Sequence, residues 1–183
     1  MGSDGSNQSR LTSNAAQDLL PSISPDSGHV AFLSNRDGYY AIYVMDMDGS
    51  NPMRLTDSLN YDPLSPGWLD PRITGRYYDV RLSPVWSPES KRIAYHSLSG
   101  GVLHIYLVGA DGTAQKRLTA IAGVEFSPAW SPDGQRIVFV APRDGGNDIF
   151  MINADGSPGE TRLTRDRAQN SLPSWSESRS SVR

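Results

Sequence analysis

Residues 128–164 read PAWSPDGQRIVFVAPRDGGNDIFMINADGSPGETRLT, and this stretch decides the fold. Pro128-Ala129-Trp130-Ser131 is a short extended segment. Ser131-Pro132-Asp133-Gly134 is a turn, because Pro presets φ for its second position and Gly accepts φ > 0. Residues 136–140 (RIVFV) are β-branched and aromatic, as a strand requires. Arg143-Asp144-Gly145-Gly146 is a second turn, and residues 148–152 (DIFMI) are a third strand. Asp155-Gly156 is a strong hairpin signal, and Arg162-Leu163-Thr164 then falls in a fourth strand. The stretch predicts four antiparallel strands with a turn at every joint.

The unit recurs. The segment Pro-x-(Trp/Ile)-Ser starts at Pro21, Pro84, Pro128 and Pro173. Asp-Gly before the fourth strand stands at Asp48, Asp111 and Asp155, and once more at Asp4. Arg-Leu-Thr starts at Arg10, Arg54, Arg117 and Arg162, at intervals of 44, 63 and 45 residues. Two of these match the roughly 40–45-residue period of a propeller blade, and the third is that period plus an insertion of about 19 residues. The middle strands, such as Ile137-Val138-Phe139-Val140 and Ile105-Tyr106-Leu107-Val108, are apolar on both parities. That pattern marks a sheet buried on both faces, which a blade between two neighbours provides. A β-sandwich would show alternation and no such period. The predicted fold is therefore an all-β propeller of four-stranded antiparallel blades.

In chain order, residues 1–20 carry the outer end of a blade, 21–56 a full blade, 57–83 an insertion, 84–127 a second blade and 128–172 a third. Residues 173–183 open a further blade that stops after its first strand. The insertion, DSLNYDPLSPGWLDPRITGRYYDVRLS, holds too much Pro and Gly for a helix and too many aromatics for plain disorder. The register is half of a roughly six-bladed propeller. An open stack predicts uncovered apolar faces at both ends, with Leu11, Leu19, Leu20 and Ile23 at one and Leu172 and Trp175 at the other. The expected consequence is pairing with a second copy or continuation in a longer chain.

The formal charge of −3 across 183 residues argues against a general nucleic-acid or anionic-membrane surface. No apolar run is long enough for a transmembrane helix, and MGSDGSNQSRLT does not read as a signal peptide. With no Cys there is neither a disulfide nor a thiolate metal site.

The pattern Trp130-Ser131-Pro132-Asp133-Gly134, Ile137-x-Phe139, Arg143-Asp144-Gly145, Ile149-Phe150, Asp155-Gly156 and Leu163-Thr164 resembles the WD40-like repeat of the TolB-type β-propellers. The resemblance covers nearly all of the chain outside the insertion. It implies a non-enzymatic scaffold that binds a protein or peptide, in the periplasm or outside the cell. It equally allows the propeller of a prolyl-oligopeptidase-like peptidase, or a sensor domain of a larger regulator. The family's N-terminal α/β domain and about half of its six blades have no counterpart here.

No catalytic centre is expected. A serine hydrolase needs a Gly-x-Ser-x-Gly elbow, and Ser87 and Ser131 sit instead in structural turns. His29, His96 and His104 lack helical zinc spacing, although His96 and His104 fall on adjacent strands. The run Asp46-Met47-Asp48-Gly49-Ser50-Asn51 departs from calcium-loop spacing, with Gly fourth rather than sixth. No cofactor is expected.

Comparison among the repeats locates a binding face. The first-to-second turns (SPDS, SPES, SPDG) and third-to-fourth turns (MDGS, ADGT, ADGS) are nearly constant, as turn geometry demands. The other two joints vary, and alternate joints of an up-and-down sheet lie at one end. Binding residues concentrate on such loops. That face should present Arg36, Asp37, Tyr39, Tyr40, Trp68, Tyr77, Tyr78, Glu125, Arg143, Asp144, Asn147, Arg165 and Arg167, with the insertion packed across it. Tyr, Trp and Arg are the residue types enriched at interaction hot spots.

Overall fold

The computed structural model describes residues 6–63, 82–120, 123–143, 146–165 and 170–176. Strands β1 (Asp18–Ile23), β2 (His29–Ser34), β3 (Ala41–Asp46) and β4 (Met53–Arg54) form the first sheet. The second sheet comprises β5 (Val85–Trp86), β6 (Arg92–Ser99), β7 (Val102–Gly109) and β8 (Lys116–Arg117). The third comprises β9 (Phe126–Trp130), β10 (Arg136–Arg143), β11 (Gly146–Asn153) and β12 (Thr161–Arg162). Each sheet follows chain order with antiparallel neighbours, and the described residues contain no helix. These are three propeller blades.

The repeated motifs now have physical roles. Trp86 Nε1–H donates to the Ser22 carbonyl at 2.9 Å, Trp130 Nε1–H to Val85 at 3.0 Å, and Trp175 Nε1–H to Ala129 at 3.1 Å. The Trp of each first strand therefore ties its blade to the first strand before it. Ile23 holds the same place in blade 1 and is 58% exposed. In Ser-Pro-Asp and its Ser-Pro-Glu variant in blade 2, the Ser24, Ser87 and Ser131 hydroxyls accept the N–H of His29, Arg92 and Arg136. In Leu-Thr, the hydroxyls of Thr56, Thr119 and Thr164 accept the third-strand N–H of Ile42, Ile105 and Ile149. The Arg of that motif curls back: Arg117 and Arg162 Nε–H donate to the carbonyls of Thr119 and Thr164. In the Asp-Gly turn, Gly49 has φ +87°, and a Cβ there would stand 2.4 Å from the Leu11 carbonyl. The turn needs Gly for its conformation and for the close approach of a neighbouring chain segment.

The core lies between blades. Ala31, Leu33, Ile42, Val44 and Leu55 of blade 1 meet Trp86, Ile93, Tyr95 and Val108 of blade 2. Ala94, Ile105, Leu107 and Leu118 of blade 2 meet Trp130, Ile137, Phe139, Phe150 and Ile152 of blade 3. One strand parity faces each neighbour, which explains the continuous apolar runs.

Three details differ from expectation. The first concerns the second-to-third joints of blades 2 and 3, which are tighter than the loops read from sequence. Ser99 pairs with Val102 across Gly100-Gly101 (φ +60° and +79°), and Arg143 pairs with Gly146. In blade 2 this two-residue turn with φ > 0 at both positions matches strand twist, so the hairpin runs on to it. Arg143 and Asn147 therefore stand in strands. A second departure is the backbone at Leu20, Ser127 and Leu172, each directly before a Pro, with φ of +51°, +53° and +49°. The pairing slips at this point in β1 and β9, so two residues oppose one. This repeated bulge bends the inner strand, against the usual extended preference of a pre-proline residue.

The third departure concerns the ends of the stack. The leading face of blade 1 is covered: Val30, Phe32, Ala41, Tyr43 and Met45 are buried, with Leu11 packed on them. Leu19 and Leu20 pack instead toward blade 2. Leu11 does for blade 1 what Leu55 does for blade 2, because the Arg-Leu-Thr segment overlies the following blade. Among the described residues the trailing side of blade 3 is less fully covered: Val138 and Val140 are buried, but Leu163 is 50% exposed where Leu55 and Leu118 are buried. Leu118→Val is therefore expected to cost about 1 kcal/mol and Leu163→Val only a few tenths. Equal midpoint shifts in urea unfolding would show that blade 3's face is covered in solution.

Candidate partner-binding face

The fourth-to-first connections and the second-to-third hairpins meet at one end of the blades. Leu59 N–H donates to the Tyr40 carbonyl at 2.8 Å, and Leu98 N–H donates to the Leu59 carbonyl at 2.9 Å. The connection leaving blade 1 is thus laced between the hairpin ends of blades 1 and 2. Farther round, Glu125 N–H donates to Leu103, and Asn170 N–H donates to Asn147.

The structure sorts the residues expected on this face into two groups. Glu125 is 0% exposed. Its carboxylate accepts a hydrogen bond from His104 Nδ1 at 2.8 Å and from the Thr119 hydroxyl. It is part of the blade, not of the surface, because the hydroxyl and imidazole buried beneath that connection need an acceptor. Asn147 is buried and its carbonyl holds Asn170. Tyr40 is buried with its hydroxyl donating to Gln17 Oε1. Burial, reinforced by the charge of Asp62, pushes the Tyr40 phenol up.

Arg36 and Asp37 are held by their own blade. The Arg36 guanidinium lies 3.2 Å from Asp18 and covers the rings of Phe32 and Tyr43 at 5.2 and 4.6 Å. Asp37 accepts from the Tyr43 hydroxyl at 2.7 Å and from Arg54 at 3.0 Å. Burial, with the bond to Asp37, pushes the Tyr43 phenol to about 12. Arg143 repeats the arrangement over Phe150 at 5.6 Å. The Arg-Asp-Gly motif is thus mainly an aromatic cover for the third strand. Tyr39, 36% exposed, and Arg165 lie at the surface. Trp68, Tyr77, Tyr78, Asp144 and Arg167 lie outside the described residues.

Asn35, Asn60, Tyr61 and Asp62, which sequence reading passed over, line a cavity of about 400 Å3 together with the expected Tyr39 and Tyr40. Their signal was position, since 58–62 open the long connection. The histidines separate: His96 pairs with Ile105 and His104 with Ser97, so the two rings lie on opposite faces of the sheet. No group of three metal-binding side chains occurs among the described residues, and no described helix is long and apolar enough to cross a membrane.

The model of the TolB beta propeller domain matches residues 69–183. A protein TolB homolog of Chlorobaculum tepidum is 34% identical over 118 residues, covering 51% of this chain and 27% of that protein. The Tol-Pal system protein TolB of Thioalkalivibrio sulfidiphilus is 33% identical over 99 residues, covering 52% of this chain and 18% of that one. The crystal structure of TolB from Acinetobacter baumannii superposes with a TM-score of 0.70 at 22% identity, covering 95% of this chain and 39% of that one. The chain thus spans about a quarter or less of the curated relatives' length.

Proposed function

The chain belongs to the TolB β-propeller domain family, and on that premise we propose that it is a non-catalytic scaffold that binds a protein or peptide through its variable-loop face. The observation that carries this reading is the contrast between the two ends of the blades. At one end, Ser, Asp and Gly side chains and backbone are used up in closing nearly identical turns. At the other, the connections differ in every blade, and beside blade 1 the hairpin end at 35–40 and the start of one connection line an open cavity with three tyrosines. Likeness to the Tol-Pal system protein supports a protein partner and a periplasmic or extracellular location. Ser87 and Ser131, the candidate nucleophiles, accept backbone N–H groups inside turns. Trp68, Tyr77 and Tyr78 of the insertion extend the same face in this reading. Leu163, half-exposed where Leu55 and Leu118 are buried, marks where a further blade packs in this reading.

Panning a random peptide library against the pure chain tests the proposal. Selected peptides should shift the amide resonances of residues 38–40 and 58–60, and Tyr39→Ala should weaken them about tenfold. Peptides that shift the Ser-Pro-Asp or Asp-Gly turns instead, or no enrichment at all, would overturn it.

A further inference from the structure

Residues 170–176 repeat the first strand of a blade. Trp175 Nε1–H donates to the Ala129 carbonyl, as Trp86 and Trp130 donate to the first strand before theirs. Leu172 takes the positive φ that Leu20 and Ser127 take before their prolines. Asn170 N–H meets the Asn147 carbonyl as Glu125 N–H meets that of Leu103. In each complete blade the Ser that follows is held by the second strand. Ser24, Ser87 and Ser131 donate their N–H to the carbonyls of His29, Arg92 and Arg136, and their hydroxyls accept the N–H of the same three residues. Ser176 is exposed and makes neither bond among the described residues.

Three precedents define what belongs beside it. The second strands open as His29-Val30-Ala31-Phe32, Arg92-Ile93-Ala94-Tyr95 and Arg136-Ile137-Val138-Phe139. The first residue, basic each time, makes the two bonds to Ser. The second pairs with Ile23, Trp86 or Trp130. The second and fourth turn toward the blade before, where Leu11, Leu55 or Leu118 packs with them. Leu163 is next in that series and is 50% exposed. Arg92 also reaches across, 4.7 Å over the Trp130 ring and bonded to the Gly134 carbonyl. The guanidinium of its counterpart Arg136 hydrogen-bonds only to the Met151 sulfur among the described residues. A second copy of this chain does not fit the place. Its blade 1 brings its own first strand, β1, to the position that Trp175 fills, and Leu11 already lies on Val30 and Phe32, where Leu163 would go.

We propose that the edge of residues 172–176, with Leu163 behind it, is a strand-addition site for an extended segment of the pattern basic, β-branched, any, aromatic. The segment runs antiparallel to 172–176. Its first residue exchanges both bonds with Ser176, its second pairs with Trp175, and side chains two and four pack on Leu163. This deepens the reading of Leu163 as the place where a further blade packs, and it is independent of the variable-loop face.

The probe is Ac-Lys-Arg-Ile-Ala-Tyr-His-Ser-NH2, which copies residues 91–97, titrated into the isotope-labelled chain. It should give saturable shifts at Leu163, Ser174, Trp175 and Ser176. The reordered peptide Ac-Lys-Arg-Ala-Ile-His-Tyr-Ser-NH2 turns Ile and Tyr to the other side of the strand, and should bind at least about tenfold more weakly. Leu163→Ser should weaken the first peptide about tenfold by removing its apolar seat. Ser176→Pro, which removes both the N–H and the hydroxyl at an exposed position, should do the same. Equal binding of the two peptides, no saturable shifts, or binding that survives both variants overturns the site. Broadening of Leu163 and Trp175 with chain concentration alone puts a second copy there instead, and overturns it too. Binding that ignores residue order but is lost in Leu163→Ser refutes the strand pattern and leaves the blade seat standing. Binding untouched by Leu163→Ser removes the seat as well.

Discussion

Glu125→Ala should lower the unfolding free energy by about 3–5 kcal/mol, the usual cost of removing one partner from a buried charged network. The carboxylate lies on a connection, where a substitution would ordinarily cost little. Here it is wholly buried, and it accepts from His104 Nδ1 and the Thr119 hydroxyl. Thr119 in turn caps the Ile105 N–H inside blade 2. Without the carboxylate, His104 and Thr119 keep buried donors with no acceptor. The paired change Glu125→Leu with His104→Leu should recover much of the loss, because it removes the carboxylate and the imidazole together and leaves only the Thr119 hydroxyl without its acceptor. Urea unfolding decides: a single-variant loss below about 1 kcal/mol, or no recovery in the double variant, would contradict the role. The same result bears on binding, since any weakened partner affinity of Glu125→Ala would report a disturbed blade and not a lost contact.

Acid should loosen the interface between blades 2 and 3 through His96. Its ring is 1% exposed, and neither nitrogen has a partner of good geometry among the described residues. Burial depresses its pKa from 6.5 to about 4, with the Leu82 backbone acting in the opposite sense and outweighed. A buried neutral imidazole binds a proton less readily folded than unfolded. Above pH 6.5 the group makes no difference to stability. As pH falls from 6.5 toward 4, the unfolded chain is protonated first, and stability drops. The loss reaches about 2.5 kcal/mol by pH 4.5 and levels off below the folded pKa. Carboxylates with lowered values, Asp26, Asp48, Asp111, Asp133 and Asp155 among them, act in the same direction but at lower pH. The informative quantity is therefore the difference between wild type and His96→Leu across pH 7 to 4.5. That difference should shift by about 2 kcal/mol in favour of the variant as pH falls. Parallel pH curves for the two proteins would rule the mechanism out.

The four-strand unit, its repetition and its register were legible in the amino-acid sequence because each rests on local chemistry. Ser-Pro-Asp and Asp-Gly close turns through bonds spanning two to five residues, such as Gln135 N–H to Asp133 and Arg136 N–H to Ser131. The two-parity apolar runs announced cover on both sides, and the packing of Phe139 and Phe150 against blade 2 supplies one of those covers. Which residues reach solvent at the variable end is a different kind of fact. Tyr40, Glu125 and Asn147 sit at variable joints, yet all three are buried. Their burial depends on how far each hairpin extends and on which connection is laced over it. The cavity at Tyr39 joins residues 35–40 to residues 58–62, brought together by the Leu59–Tyr40 bond across the intervening strands. The contrast between covered Leu118 and exposed Leu163, identical in motif, exists only because one has a blade beyond it. Turn geometry and strand preference act over a few residues and can be read along the chain. Burial and cavity shape depend on what packs from a distance, and only the assembled blades decide them.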